Sequence, residues 1–95
     1  MSIWDEVAAE RARAHAKHGD KSMEAADWDD MKRLRILMEE VGEVARAFND
    51  LDLGQTTAAE AAANARGELI QVSAMAGAWA DRIPPPRLAP IEVAS

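Results

Sequence analysis

Apolar side chains recur at the spacing of an α-helix through the middle of the chain, with polar and charged residues between them. A helix that has Asp27 as its N-cap and ends near residue 51 places most of these apolar residues on one side. We expect that side to be the main buried face of the helix. It consists of Leu34, Leu37, Met38, Val41, Val44, Ala45, Phe48 and Leu51.

One helix is predicted before this helix and another after it. The first runs from about Ile3 to Lys17 and stops at Gly19. The last begins after Thr57, which stands three residues before Glu60, the spacing of a capping box. It ends near residue 82, because the three prolines that follow cannot continue a helix.

These elements predict an all-α, three-helix chain in which helix 2 and helix 3 form a long antiparallel hairpin. Residues 1–83 form the predicted helical domain, and residues 84–95 form a Pro-rich C-terminal tail. A chain of 95 residues buries a modest core. Association with further copies of the chain is therefore an expected source of stability.

Composition narrows the range of functions. The formal net charge is −6, which argues against a nucleic-acid-binding surface. The chain has no cysteine, which excludes disulfides and thiolate metal sites. Its longest uncharged run, residues 69–80, is too short to span a bilayer, and its acidic beginning does not resemble a signal peptide. We expect a cytoplasmic protein with no nucleic-acid or membrane partner.

A carboxylate interrupts the apolar stripe of helix 3. Glu68 is surrounded by alanine and other apolar residues at helical spacing. Removing a carboxylate from water is costly unless a cation or a buried partner compensates for the lost hydration. The stripe consists of Ala61, Ala65, Val72, Met75, Ala76 and Trp79.

Three more glutamates lie on one arc of helix 2. Glu43 lies four residues after Glu39 and three after Glu40, and these glutamates share the arc with Ile36 and Ala47. The arc is separate from the main apolar face, so we expect it to be a second, half-buried face.

The hairpin predicts that the acids on the two helices lie at the same level. A turn centred near Gly54 places Glu68 between the heights of Glu40 and Glu43, within about one 5.4 Å helical turn of each. Gly42 and Gly67 also become level, which predicts a close approach of the two helices.

Four carboxylates that converge repel one another and require protons or cations. Oxygen ligands without His or Cys suit a hard ion, Mg²⁺ or alternatively Mn²⁺. A glutamate that is not fully committed to the metal can take a proton from attacking water. The competing interpretation is that Glu39, Glu40 and Glu43 form an ordinary solvated helix face.

The chain from residue 34 to residue 81 resembles the MazG-type all-α nucleoside triphosphate pyrophosphohydrolases. That family carries a Glu-Glu-x-x-Glu motif on one helix and a Glu-x-x-Asp motif on the next. The stretch Glu39-Glu40-Val41-Gly42-Glu43 matches the first motif in full. The N-terminal helix and its Ala16-Lys17-His18-Gly19 end are also similar to small members of the family.

The resemblance implies hydrolysis of nucleoside triphosphates to a monophosphate and pyrophosphate, with Mg²⁺ held by the acids. It implies that Glu39, Glu40, Glu43 and Glu68 are metal ligands, with Glu39 and Glu43 as the catalytic glutamates that orient water. It also implies a homodimer or a dimer of dimers, with a four-helix-bundle-type core made by more than one chain.

Gln71 departs from the family pattern, because it stands where the second motif has Asp. Its amide carbonyl is still a hard oxygen ligand for Mg²⁺, but it brings no negative charge and cannot act as a base. The number of bound metal ions, and the activity itself, depend on this difference.

A triphosphate also requires cations and a surface for its base. Lys17 matches a lysine of the family's first-helix turn, and Arg35 flanks the glutamate arc. Asn64 precedes Glu68 by one turn, and Trp28 is able to stack on a base. We take these four as candidate substrate-binding residues and expect Glu10, Arg11 and Arg13 on the first helix to face water.

Two other classes of function remain open. The hairpin is also suited to a helical dimerisation or regulatory module in which the glutamates are merely exposed. A nucleotide sensor is able to bind the same ligand without turnover, and Gln71 favours this alternative.

Overall fold

The computed structural model describes residues 2–18 and 22–85, and over these residues the chain is all-α. It forms α1 (Ile3–His18), α2 (Asp30–Asp52) and α3 (Ala58–Ala80). The predicted fold class is confirmed: α2 and α3 pack against each other as a hairpin, and α1 packs against α3. Most of the predicted tail, residues 86–95, lies outside the described residues.

The first turn of α2 begins later than the sequence predicted. Asp29, and not Asp27, is the N-cap, and its side chain accepts a hydrogen bond from the backbone N–H of Lys32 at 2.7 Å. Both residues are aspartates with similar capping strength. The backbone bond from Arg33 N–H to the Asp29 carbonyl, 3.2 Å long, fixes the later start.

The turn between α2 and α3 is closed by a glycine. Gly54 has φ +70°, a left-handed conformation that costs glycine little. Its N–H bonds to the Leu51 carbonyl at 3.0 Å, and the Gln55 N–H bonds to the Asp50 carbonyl at 2.8 Å. This pair of bonds is the Schellman arrangement that satisfies the last carbonyls of a helix.

Thr57 caps α3 as predicted, since its side chain accepts from the Glu60 N–H at 3.1 Å. The Glu60 carboxylate does not complete a capping box with Thr57; it accepts from the Thr56 hydroxyl at 2.8 Å. The helix therefore starts where the sequence indicates, but the Glu60 side chain bonds to Thr56 and not to the backbone of Thr57.

The far end of the hairpin is tied by side chains. The Trp79 indole N–H, at the end of α3, donates to Asp30 Oδ1 in the first turn of α2 at 2.9 Å. This contact and the short turn at Gly54 show that the two helices run antiparallel. The Arg66 guanidinium of α3 donates to both carboxylate oxygens of Glu6 on α1, at 2.9 and 2.6 Å.

The core at the helix interfaces is built mostly from small residues. Its buried apolar side chains are Met23, Ala25, Ala47, Ala61, Ala65, Ala74 and Ala78. Alanines lose little side-chain entropy on burial, but each also removes little apolar surface from water. The larger apolar residues of α2 are half-buried or exposed.

The prediction of the main buried face of α2 is only partly correct for the single chain. Of the eight predicted residues, Leu34, Met38, Val41 and Phe48 are 40–57 % exposed. Leu37, Val44 and Leu51 of the same set are half-buried. On the glutamate arc, Ile36 and Glu40 are half-buried and Ala47 is buried, whereas Glu39 and Glu43 are exposed. The covered side of α2 therefore lies between the two predicted faces, and the expectation of a half-buried arc is correct for only part of it.

The predicted close approach at Gly42 and Gly67 is also wrong. Both glycines are exposed, and a Cβ added to either one meets no atom within 4 Å. Among the described residues, no helix is long and apolar enough to cross a membrane.

Candidate functional site

Two carboxyl groups meet where α2 packs against α3. Glu40 and Glu68 are both half-buried, one on each helix. Burial, followed by the hydrogen bond and the charge of Glu68, raises the pKa of Glu40 above its ordinary value. The charges of Glu43 and Glu39 raise this pKa further.

One oxygen of this acid pair has no hydrogen-bond partner among residues 2–18 and 22–85. Glu68 Oε2 is buried and makes no hydrogen bond. A buried carboxylate oxygen without a donor is destabilising, and such atoms are rare in folded proteins. The pair is therefore a place where a proton or a cation would be stabilising.

The other two glutamates of the predicted cluster stay at its edge. Glu39 and Glu43 are exposed, and Glu43 Oε2 lies 3.5 Å from Arg46 Nη1. Within residues 2–18 and 22–85, no three His, Cys, Asp or Glu side chains are grouped so as to hold a metal ion. The structure thus brings Glu40 and Glu68 together and leaves the predicted four-carboxylate convergence incomplete.

The donors present nevertheless fit a hard divalent cation. Glu40 and Glu68 supply carboxylate oxygens, and one of these, Glu68 Oε2, has no other partner. Gln71, one turn after Glu68 on α3, adds an amide carbonyl. Oxygen donors of this kind are the ligands that Mg²⁺ and Mn²⁺ prefer, and Mg²⁺ keeps several waters beside a few protein ligands.

A cavity of about 350 Å³ opens on one side of the acid pair. Its walls come from α1, from the segment at residues 22–28, from α2 and from α3. Glu39, Glu40 and Gln71 contribute polar groups to it, and much of the remaining wall is apolar. The apolar residues are Ala14, Met23, Trp28, Ile36, Ala74, Met75 and Ala78.

A second cavity, of about 370 Å³, opens on the other side and is more polar. Glu68 and Gln71 line it together with Glu43, Arg46 and Asn64. Gln71 lines both cavities, so the acid pair lies at their junction.

The arginines beside the first cavity are already paired with acids. Arg11 donates to Glu24 Oε1 from Nε and Nη2, at 3.0 and 2.6 Å, and lies 2.5 Å from Asp81 Oδ2. Arg13 binds both oxygens of Glu10, and this hydrogen bond lowers the pKa of Glu10. The expectation that these residues of α1 simply face water is therefore wrong for Glu10 and Arg11, which are half-buried.

The four candidate substrate-binding residues divide into two groups. Trp28 lines the first cavity, with Lys32 Nζ 4.6 Å from its ring centroid, and Asn64 lines the second. Lys17 and Arg35 are exposed and line neither cavity. The binding roles of all four remain predictions.

Sequence reasoning missed the segment at residues 22–28 and the residue that holds it. Met23 and Glu24 line the first cavity, and Arg33 is buried beneath the segment. Helical spacing contained a signal for Arg33, because it precedes Ile36 by three residues and Glu40 by seven on the face that packs on α3. Nothing in the pattern of apolar and polar residues indicated that residues 22–28 lie against the hairpin.

Comparisons with protein-family models, with curated proteins and with solved structures give no match to this chain.

Proposed function

We propose that this chain is a Mg²⁺-dependent nucleoside triphosphate pyrophosphohydrolase that converts triphosphates to a monophosphate and pyrophosphate. The observation that carries the proposal is the half-buried pair Glu40–Glu68, with one unpartnered oxygen, at the junction of two cavities. The resemblance of residues 39–43 to the Glu-Glu-x-x-Glu motif supports the same reaction.

In this proposal the acids have two kinds of role. Glu40, Glu68 and Gln71 hold Mg²⁺, which when bound neutralises phosphate charge and favours ionisation of water. Glu39 and Glu43, the catalytic glutamates, are exposed and therefore accessible to water. They orient the attacking water and accept its proton while the anhydride between the α- and β-phosphates breaks.

The two cavities are proposed to receive different parts of the substrate. The arginines of the first cavity already neutralise Glu10, Glu24 and Asp81, so little positive charge remains there for phosphates. Its apolar wall suits the uncharged nucleoside, with Trp28 beside the base. The second cavity has Asn64 and Arg46 for the phosphates. The Arg46 side chain is 70 % exposed, and its ion pair with Glu43, at 3.5 Å, is longer than the arginine pairs of the first cavity.

We also propose that the enzyme is a homodimer or a dimer of dimers that pairs through α2. Met31 is 64 % exposed and extends the exposed stripe of Leu34, Met38, Val41 and Phe48 at alternating spacings of three and four residues and then seven. This spacing is that of a helix packed against another helix. A second copy brings an identical stripe, which gives the four-helix-bundle-type core that one chain lacks.

The test of the activity is pyrophosphate release from a panel of canonical and damaged triphosphates, with Mg²⁺ and with Mn²⁺. We expect release that EDTA abolishes and that Glu43→Gln and Glu68→Gln each lose, with helicity retained by circular dichroism. Turnover retained in both variants would overturn the assignment.

A nucleotide sensor is the second candidate, and Gln71 favours it, because an amide in place of an acid lowers the negative charge at the site. Binding of a triphosphate with Mg²⁺ but without pyrophosphate release would establish the sensor. A helical module without a nucleotide site would show neither thermal stabilisation by Mg²⁺ nor nucleotide binding.

A further inference from the structure

Arg33 is the buried charged residue of the described chain, with 4 % of its surface exposed. Its guanidinium donates to three backbone carbonyl groups of one short segment. Nε bonds to the Met23 oxygen at 3.0 Å, Nη1 to the Trp28 oxygen at 2.6 Å, and Nη2 to the Ala25 oxygen.

These carbonyl oxygens accept the hydrogen bonds that a carboxylate accepts from most buried arginines. The nearest acid, Asp30, is 3.7 Å from Nη1 and its side chain is 70 % exposed. A buried guanidinium is costly unless its donors are satisfied, and the rigid fork of Arg reaches several acceptors at once. The position of Arg33 on α2 therefore fixes the path of residues 23–28.

The same segment forms one wall of the first cavity. Met23, Glu24 and Trp28 line it, and Met23 is only 4 % exposed. On its outer side Glu24 accepts from Arg11 and lies 2.8 Å from His15 Nδ1, while its carbonyl accepts from Arg82 at 2.7 Å. The wall is thus attached to α1 by Glu24 and to α2 by Arg33.

We propose that Arg33 is a positioning residue for the ligand: it holds residues 23–28 as the wall of the cavity that receives the nucleoside. The identity of the ligand rests on the proposed function, but the mechanical role of Arg33 does not. Because the wall is separate from Glu39 and Glu43, its loss weakens nucleotide binding more than it slows the chemical step.

The test compares Arg33→Lys and Arg33→Met with Arg66→Met, a control on an exposed arginine of α3 that lines neither cavity. Hydrogen–deuterium exchange of residues 22–28 is expected to accelerate about tenfold or more in both Arg33 variants, since hydrogen bonds to a charged group are lost. Exchange in α3 should stay within about twofold. For the triphosphate, KM should rise about tenfold while kcat changes less than about twofold.

Glu24→Gln provides a second variant that loosens the same wall from outside without disturbing the buried arginine. It should raise KM and the exchange of residues 22–28 in the same direction, by smaller factors. Unchanged exchange in both Arg33→Lys and Glu24→Gln would overturn the proposal. So would faster exchange with unchanged KM, or an equal response in Arg66→Met.

A wild-type chain that releases no pyrophosphate would refute the proposed function and leave this inference testable. Calorimetric titration with a nucleoside monophosphate then replaces KM. Binding by wild type that weakens in Arg33→Lys and not in Arg66→Met supports the positioning role. Absence of monophosphate binding in wild type refutes the nucleoside cavity, and with it the role of Arg33 toward the ligand.

Discussion

Glu40 on α2 and Glu68 on α3 place their carboxyl groups together across the hairpin, and the presence of Glu68 raises the pKa of Glu40. Within the described part of the chain, neither acid has a basic partner and Glu68 Oε2 has no hydrogen bond. Without a cation, this contact opposes folding at neutral pH.

Removing the charge of Glu68 should therefore stabilise the metal-free chain. Glu68→Gln relieves the repulsion, and we expect a gain on the order of 1 kcal/mol, about 4–8 °C in Tm for a domain of this size. Thermal unfolding in EDTA measures it. The exposed Glu39→Gln is the control and should change Tm by less than half as much; a lower Tm for Glu68→Gln would mean that Glu68 supports the fold.

The raised pKa of Glu40 gives the metal-free protein a specific pH dependence. The folded state binds this proton more tightly than the unfolded state, whose pKa is the ordinary 4.5. Stability from this group is thus fully present below pH 4.5 and is lost as pH rises through the raised folded pKa.

The difference in unfolding free energy between wild type and Glu40→Gln isolates this dependence. As pH rises from 4.5, the unfolding free energy of wild type should fall relative to that of Glu40→Gln, and the difference should then become constant. The opposite contributions of Glu6 and Glu10, whose pKa values are lowered by Arg66 and Arg13, cancel in the difference. A difference that is constant between pH 4 and 8 would contradict the linkage.

Restoring an acid at position 71 should strengthen the proposed metal site. Gln71→Asp adds a carboxylate where Gln71 lines both cavities, and we expect Mg²⁺ affinity to be kept or to increase by about tenfold. Titration calorimetry with Mg²⁺ alone measures it. Ser73→Asp, on an exposed position of the same helix, is the control. A clear loss of affinity in Gln71→Asp would show that Gln71 has another role.

Charged residues on the exposed apolar face of α2 should dissociate the proposed oligomer. Met38→Glu and Phe48→Glu put a charge on the face proposed to pack against a second copy, so sedimentation should change from dimer or tetramer to monomer. Leu53→Glu is the control, since Leu53 is 71 % exposed but lies beyond the end of α2. A monomeric wild type at 100 μM would contradict the pairing.

The two aspartates before α2 differ in their expected contributions. Asp29→Ala removes the observed N-cap and should lower stability by about 1 kcal/mol. Asp27→Ala should have little effect, because the helix does not begin there. Denaturant unfolding of the two variants separates these expectations, and an equal loss in both would place the cap elsewhere.

The sequence predicted the helices well, because capping residues, the glycine at the turn and the prolines at the end are local signals. It also predicted that Glu68 would reach the level of Glu40, since hairpin register follows from the length of the turn. It did not predict which face of α2 meets α3. Apolar residues lie on more than one side of that helix, and its half-buried or buried apolar residues come from both predicted faces: Ile36, Leu37, Val44, Ala47 and Leu51.

The parts of the candidate site that depend on one helix or on the hairpin were predictable from the sequence. The part that residues 22–28 form was not. Arg33, Met23 and Glu24 form their contacts through backbone carbonyls and through residues far apart in sequence. Periodicity carries no information on such contacts, because residue spacing within a helix does not fix the path of a loop.

The bond between Trp79 and Asp30 restricts how the hairpin is able to move. At one end the two helices are joined by the turn at Gly54, and at the other end the Trp79 indole donates a hydrogen bond to Asp30. While this hydrogen bond is made, the two helices are held at both ends and do not open like a hinge. Any adjustment of the acids to an incoming ion must then come from rotation or bowing of α2 and α3 at mid-length, a motion of small amplitude that keeps the two carboxyl groups facing each other.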